Sequence, residues 1–349
     1  MLEVIVSLFA TKRWREIQEI ISDLESLKGD PEYREAAEIN IGFFKAARSI
    51  FSFIHWLTFT APKLRKRRDE LLELGDLPLE KWQQRAYRAL AGVERHSFGR
   101  RVSGGFTLEL SRAILRVKRI KDSGEAMVLL DVGFGGGELG YRVVKGLHRV
   151  PLVYIGLDTT PANIGVAQEV FRPLYEGGEI IFREVPALND EVIDFLRQEA
   201  SDTSKKVVAV CLEDIFNLDK HVSPGKIDLI CHSRVLHHIK AALRPRLEDI
   251  CRKLSPVTLE MDDRYCFGFM FWSIVGAWII YPSVSLLNGG IISWLRDPAE
   301  KELTGYYKLV PPFCYAHLIL GRDAYFQKGK WQTAARMLTR GFSFKEGLG

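Results

Sequence analysis

A chain of 349 residues is long for one hydrophobic core and predicts a two-part globule. With 47% apolar and 27% charged residues it can bury such a core, which excludes a disordered, collagen-like or disulfide-scaffold protein. A net charge of +5 is too mild to indicate nucleic acid as a partner. The five cysteines (Cys211, Cys231, Cys251, Cys266, Cys314) stand singly, with no CxxC pair and no histidine at finger-like spacing, so neither a metal site nor a disulfide framework is expected. Unpaired cysteines fit a reducing, cytoplasmic compartment. The opening MLEVIVSLFATKRW has no basic n-region or cleavage site and reads as mature sequence.

Residues 1–120 predict a helical N-terminal cap, because WREIQEIISDLESL and DELLELGDLPLEKWQQRAYRALAGVE repeat apolar residues every three or four positions. Within it, the aromatic run SIFSFIHWLTFTAP (49–62) leads directly into KLRKRR (63–68), an apolar helix beside a polybasic cluster, which reads either as a peripheral membrane anchor or as a solvated helix. From Met127 the pattern changes. Short apolar runs, MVLLDV, LVYIGLD, VVAVCLED, IDLICHS and PVTLEM, alternate with helical stretches near 137–148, 162–175, 188–201 and 240–254, which predicts a parallel α/β sheet over 121–265. The runs are continuously apolar, as expected when helices cover both sheet faces. EIIFREVP reads equally as a strand or a loop. Residues 266–349 are expected to hold a hydrophobic insertion and the elements that complete the core. The 31 residues from Tyr265 to Leu295 carry no charge, so they must be buried against the front helices, a bilayer or an apolar ligand.

Five glycines fall within the eight positions from Gly133 to Gly140, directly behind the first apolar run. A glycine-rich turn there lets a ligand approach the backbone at the start of the next helix. Residues 135–140 fit G-x-G-x-x-G, with Asp158 placed to bind a ribose, which is compatible with a dinucleotide. Read two residues earlier, the turn is Asp131-x-Gly133-x-Gly135-x-Gly137. An acid at the strand end repels a pyrophosphate and suits a cationic ligand such as the sulfonium and ammonium of S-adenosyl-L-methionine.

At these residues the chain resembles the class I S-adenosylmethionine-dependent methyltransferases, notably the small-molecule and lipid-type members, over roughly 121–265. The resemblance implies a doubly wound Rossmann-like α/β sheet, with the helical cap before it and the insertion after the fifth strand. It also implies that Asp131, Gly133, Gly135 and Gly137 line the methionine part of the cofactor. Asp158, followed by Thr159, would hold the ribose hydroxyls. Glu213 or Asp214 would meet the adenine amine with Ile215 beside the ring, and Ser233 closes the fourth strand in KIDLICHSRVLHHI. The Asp131–Asp158 separation of 27 is longer than usual for the family, which predicts an extended intervening helix.

Catalysis of methyl transfer is largely a matter of positioning and water exclusion. A base near neutral pKa is useful where the acceptor is a hydroxyl or an acidic carbon, and His237 or His238 stands where the fourth strand opens into the cleft. Asp262 and Tyr265, beyond the fifth strand, are placed to touch the acceptor. Large aromatic segments on both sides of the core predict an apolar or lipid-like acceptor. A protein or RNA substrate, and a non-catalytic interaction protein that keeps the fold, are the alternatives.

Overall fold

The computed structural model describes residues 2–64, 71–73, 76–85, 88, 97–121, 124–148, 150–263, 288, 291–292, 295, 305–310, 314–321 and 331–345. The chain divides into two compact units, Met1–Leu90 with Tyr265–Asp297, and Ala91–Arg264 with Pro298–Gly349. Contact therefore divides the front end at Leu90, whereas the hydrophobic pattern suggested residue 120.

The first unit is helical. Helices α1 (Leu2–Leu27), α2 (Arg34–Ala46) and α3 (Ile50–His55) lead through a π-helical turn (Trp56–Thr60) into α4 (Ala61–Leu64). The second half of the expected front helix is interrupted. Residues 71–73 and 76–79 are coil and turn, and helix is found again at 80–85, beyond Pro78, which breaks the repeat. The core packs Phe43 edge-on to Phe44, Phe53 and Trp56 at 5.1, 5.7 and 5.4 Å. Asn40 anchors this core by donating to the carbonyls of Ala36 and Leu72, both at 2.9 Å, and by accepting from Asn288 Nδ2 at 2.6 Å. Trp82 donates its indole N–H to Asp23 at 2.6 Å. Ile291, Ile292 and Leu295 are wholly buried in the same cluster, so these parts of the uncharged insertion belong to the core of the front helices.

The second unit opens with α5 (Ser97–Lys121) and continues β1 (Met127–Val132), α6 (Glu138–Gly146), β2 (Leu152–Asp158), α7 (Pro161–Glu176), β3 (Ile180–Val185) and α8 (Asp190–Thr203). It then runs β4 (Lys206–Leu212), α9 (Ile215–Leu218), β5 (Leu229–Ser233), α10 (Arg244–Leu254), β6 (Val257–Asp263), β7 (Gly305–Val310), β8 (Cys314–Leu320), α11 (Trp331–Thr339) and β9 (Ser343–Lys345). One sheet holds all nine strands in the order β3-β4-β2-β1-β5-β6-β8-β7-β9. The first six are parallel, and β8, β7 and β9 are added antiparallel. β1 and β2 are buried at every position, the pattern of strands covered on both faces.

EIIFREVP forms the edge strand β3, in which only Ile180 is buried, and this partial exposure explains its ambiguity in sequence. The expected long helix between Asp131 and Asp158 is not found. α6 has nine residues, and the spacing is taken up after it, where Val150 N–H closes a turn on the Leu147 carbonyl before Pro151 leads into β2. Asp228 fastens the central strands: it accepts from Val128 N–H at 2.8 Å and pairs with Lys121 at 2.9 Å. Lys308 of β7 reaches the buried Glu109 of α5 at 2.8 Å, which ties the antiparallel extension to the helix.

Candidate cofactor and catalytic site

The chain leaves β1 for β2 on one side and later returns to β5 on the other, so the strand order reverses between β1 and β5. In open α/β sheets, ligands bind outside the carboxyl ends of the strands at such a point. The turn Gly133–Gly137 lies there. Gly135 has φ +56°, a left-handed conformation that disfavours side chains, and a Cβ built on it would meet no atom within 4 Å. At Gly133, by contrast, a Cβ would lie 2.5 Å from Val235, which marks the contact between the turn and the segment leaving β5. At Gly137 it would lie 2.9 Å from the Phe171 ring. Among the described residues, space for a ligand therefore opens at Gly135, while Gly133 and Gly137 serve packing.

Asp158 closes on this turn. Its Oδ2 accepts from Gly135 N–H at 3.1 Å and its Oδ1 from Thr160 N–H at 2.9 Å. Burial pushes its pKa up, opposed by those two N–H groups and by the side chains of Asn163 and Thr160. Thr159 is exposed, and Thr160 is the residue that touches the acid. Glu213 N–H donates to the Asp158 carbonyl at 3.0 Å, which brings the ends of β2 and β4 together. The Glu213 carboxylate accepts from Leu188 N–H at 3.0 Å. Asp214 caps α9 by accepting from Phe216 N–H at 3.0 Å, and Ile215 follows, buried. Both acids keep lone pairs beyond these bonds.

Asp131 is 2% exposed at the end of β1. Tyr154 donates its phenol to Oδ2 at 2.5 Å, while Oδ1 is buried with no hydrogen-bond partner among the described residues. Burial pushes the carboxyl up to about 6, the nearby Asp158 raises it further, and the Tyr154 and Cys231 side chains oppose the rise. Tyr154 was not legible as a site residue. Its signal is the pairing of Tyr154 with Gly140, where a Cβ would sit 2.2 Å from the phenol ring. Phe134 occupies an equivalent close approach to Gly156 at 2.7 Å.

Beyond Ser233 the chain turns through Arg234, held at φ +59° with its N–H on the Met261 carbonyl at 2.8 Å, and enters a short 3-10 helix, Leu236–His238. This aims His237 at β6. His237 Nδ1 lies 3.1 Å from Asp262 Oδ2, with the two side chains 3% and 0% exposed, and the His238 ring lies against that of His237 at 4.2 Å, tilted by 41°. The structure thus joins His237 to Asp262, which sequence spacing left as separate candidates. Tyr265 lies outside the described residues. A further polar row backs the pair on the same sheet face. His232 is opposite Glu260 on β6, and Glu260 is opposite His317 on β8 at 3.6 Å and accepts from Tyr315 at 3.2 Å. Burial alone would raise Glu260, but the two histidines and Tyr315 hold it below the usual carboxylate range, while burial lowers His232.

No protein-family model matches the chain, and no curated protein matches it by sequence. Among solved structures it is similar to the DszA carbon methyltransferase, at 12% identity over 87% of this chain and 70% of that one, with a TM-score of 0.42. It is also similar to the plantazolicin methyltransferase BpumL in complex with a triazolic desmethylPZN analog and SAH, at 12% identity over 75% of this chain and 98% of that one, TM-score 0.41. A third likeness is to the bifunctional kinase-methyltransferase WbdD, at 12% identity and TM-score 0.37, where the match spans 38% of that chain. The sheet of this chain decides the architecture: five parallel strands β4-β2-β1-β5-β6 with the order reversing at β1/β5, an acid rather than a phosphate cradle ending β1, and a reversed strand beside β6. The chain has a doubly wound, Rossmann-like α/β fold. Within that fold, the glycine turn, Asp158, the β4 acids and the His237–Asp262 pair all lie at the carboxyl ends of the parallel strands.

Proposed function

We propose that the chain is an S-adenosyl-L-methionine-dependent methyltransferase acting on an apolar or lipid-like small molecule. The observation that carries the reading is the pairing of Gly135 with Asp158: a left-handed glycine beside open space gives its N–H to a buried carboxylate from the next strand. A carboxylate in that position accepts a diol, and the ionised Asp131 beneath the turn favours a cation over a pyrophosphate. The donor set therefore fits a ligand with a ribose and a positive charge and no phosphate.

When bound, the cofactor supplies an activated methyl group. The chain's own residues do the rest. Asp158 holds the ribose with the lone pairs that Gly135 and Thr160 leave free. Asp214 or Glu213 accepts from the adenine amine, with Ile215 against the ring. Asp262 orients His237 through Nδ1 and favours the tautomer in which Nε2 accepts a proton from a hydroxyl or acidic carbon of the acceptor. Burial of both members favours this arrangement, because an imidazole that gains a proton is stabilised by a nearby carboxylate in a low-dielectric setting. The apolar acceptor is supported by the uncharged 31-residue segment that follows the fifth strand of the sequence motif and by the aromatic content of the front end.

Incubation of the purified protein with methyl-labelled cofactor and fractionated cell extract tests the reading. Label is expected in an organic-extractable small molecule. Label confined to protein or RNA would replace the acceptor assignment.

A further inference from the structure

Between Glu38 and Asp69 the sequence contains 30 residues with no acidic side chain and seven basic ones, five of them clustered from Lys63 to Arg68. The helical run 50–64 lies inside this stretch, and its large apolar side chains divide sharply. Phe53 and Trp56 are 1% and 7% exposed and belong to the front-end core. Phe51, Ile54 and Phe59 are 82%, 53% and 59% exposed. The π-helical turn sustains this division. It closes with Ala61 N–H on the Trp56 carbonyl, five residues back, and Phe59 packs its ring against His55 at 4.8 Å, one turn beyond Phe51. Phe51, His55 and Phe59 follow at i, i+4 and i+8, with Ile54 alongside.

We infer that the exposed face of residues 50–64 is a docking surface for an anionic lipid bilayer. Scattered exposed apolar residues are ordinary, but three bulky ones on a single short helical face, followed directly in sequence by a basic cluster, combine the two signals that reversible membrane attachment needs. Each basic residue near an anionic leaflet strengthens attachment, and apolar insertion adds its own share. The charge also selects among occupants. A second copy of the chain would bring two basic segments together, whereas an anionic surface complements them. No described helix is long and apolar enough to cross a membrane. The inference stands independently of the proposed chemistry.

Flotation of the full chain with vesicles of phosphatidylcholine alone, or mixed with phosphatidylserine, tests it. Binding is expected to the anionic vesicles at about 0.1 M salt and to be lost near 1 M, where the screening length falls from about 10 to 3 Å. Phe51→Ser/Ile54→Ser/Phe59→Ser is expected to reduce partitioning at least tenfold, and so is replacement of Lys63, Arg65, Lys66, Arg67 and Arg68 by Gln. Circular dichroism keeps loss of fold distinct from loss of docking. Equal binding of wild type and both variants, or no flotation under any condition, overturns the inference. So does a concentration-dependent dimer abolished by the serine variant, or capture by an acidic polypeptide in place of vesicles.

Discussion

Tyr154 donates its phenolic hydrogen to Asp131 Oδ2 across 2.5 Å, and its ring fills the space that a side chain at position 140 would need. One of the five glycines of the turn region is thus explained by a tyrosine from the neighbouring strand rather than by a ligand. Gly140→Ala should therefore destabilise the protein by about 1–3 kcal/mol, the usual effect of overpacking. Most of that loss should be recovered in the double variant Gly140→Ala/Tyr154→Leu, and denaturant melts of the four proteins would show it. Additive losses would mean that Gly140 is required for another reason.

Asp131 gives a pH signature. Its carboxyl titrates near 6 instead of 3.8 because it is buried among Tyr154, Cys231 and Asp158. Between about pH 4 and 6 the folded state holds a proton that the unfolded chain has released, so this group's contribution falls as pH rises through that window. Above it the ionised carboxylate costs roughly 2–3 kcal/mol in the ligand-free protein. Asp131→Asn is expected to raise the thermal midpoint of the ligand-free protein at pH 8 and to give little gain at pH 4. A difference between the two proteins that does not change with pH would contradict the assignment.

Gly135 and Gly133 should behave differently. Gly135→Val places a branched side chain in open space and is expected to abolish cofactor binding while the chain still folds, less about 1–2 kcal/mol for the left-handed backbone. Gly133→Val drives into Val235 and should lower stability first. Thermal melts alongside cofactor titrations would separate the two effects. Unchanged cofactor affinity in Gly135→Val would put the ligand elsewhere.

The His237–Asp262 pair predicts a split between binding and chemistry. Asp262→Asn should leave cofactor affinity unchanged and lower the methyl-transfer rate by about 10²–10⁴-fold, the range for a lost general base. His237→Gln should match it, and the double variant should be no worse than either single one. Fully additive losses would mean that the two do not act together.

The parallel half of the sheet was legible because each strand there is a continuous apolar run whose ends carry turn or cap residues, such as the glycines after Val132 and Asp214 before Ile215. Legibility fell wherever meaning depends on register. β3 is an edge strand and lacks the buried-strand pattern, and β7 to β9 pair antiparallel at spacings that no local periodicity reports. The same holds in the site. Asp131, Asp158 and His237 are visible in motifs, but Tyr154 lies 23 positions from Asp131 and His317 lies 57 from Glu260, and only strand pairing brings them together. The helix expected to lengthen between Asp131 and Asp158 stayed short, since a residue count cannot say whether extra length enters a helix or the turn after it.

Calorimetric titration with S-adenosyl-L-methionine, its demethylated product and NAD, on wild type and Asp158→Ala, tests the central claim most directly. The account predicts saturable binding of the first two, no binding of NAD, and a loss of about 1.5–3 kcal/mol in Asp158→Ala, as for a charge-assisted hydrogen bond to a bound hydroxyl. Tight NAD binding with no response to S-adenosyl-L-methionine would contradict it.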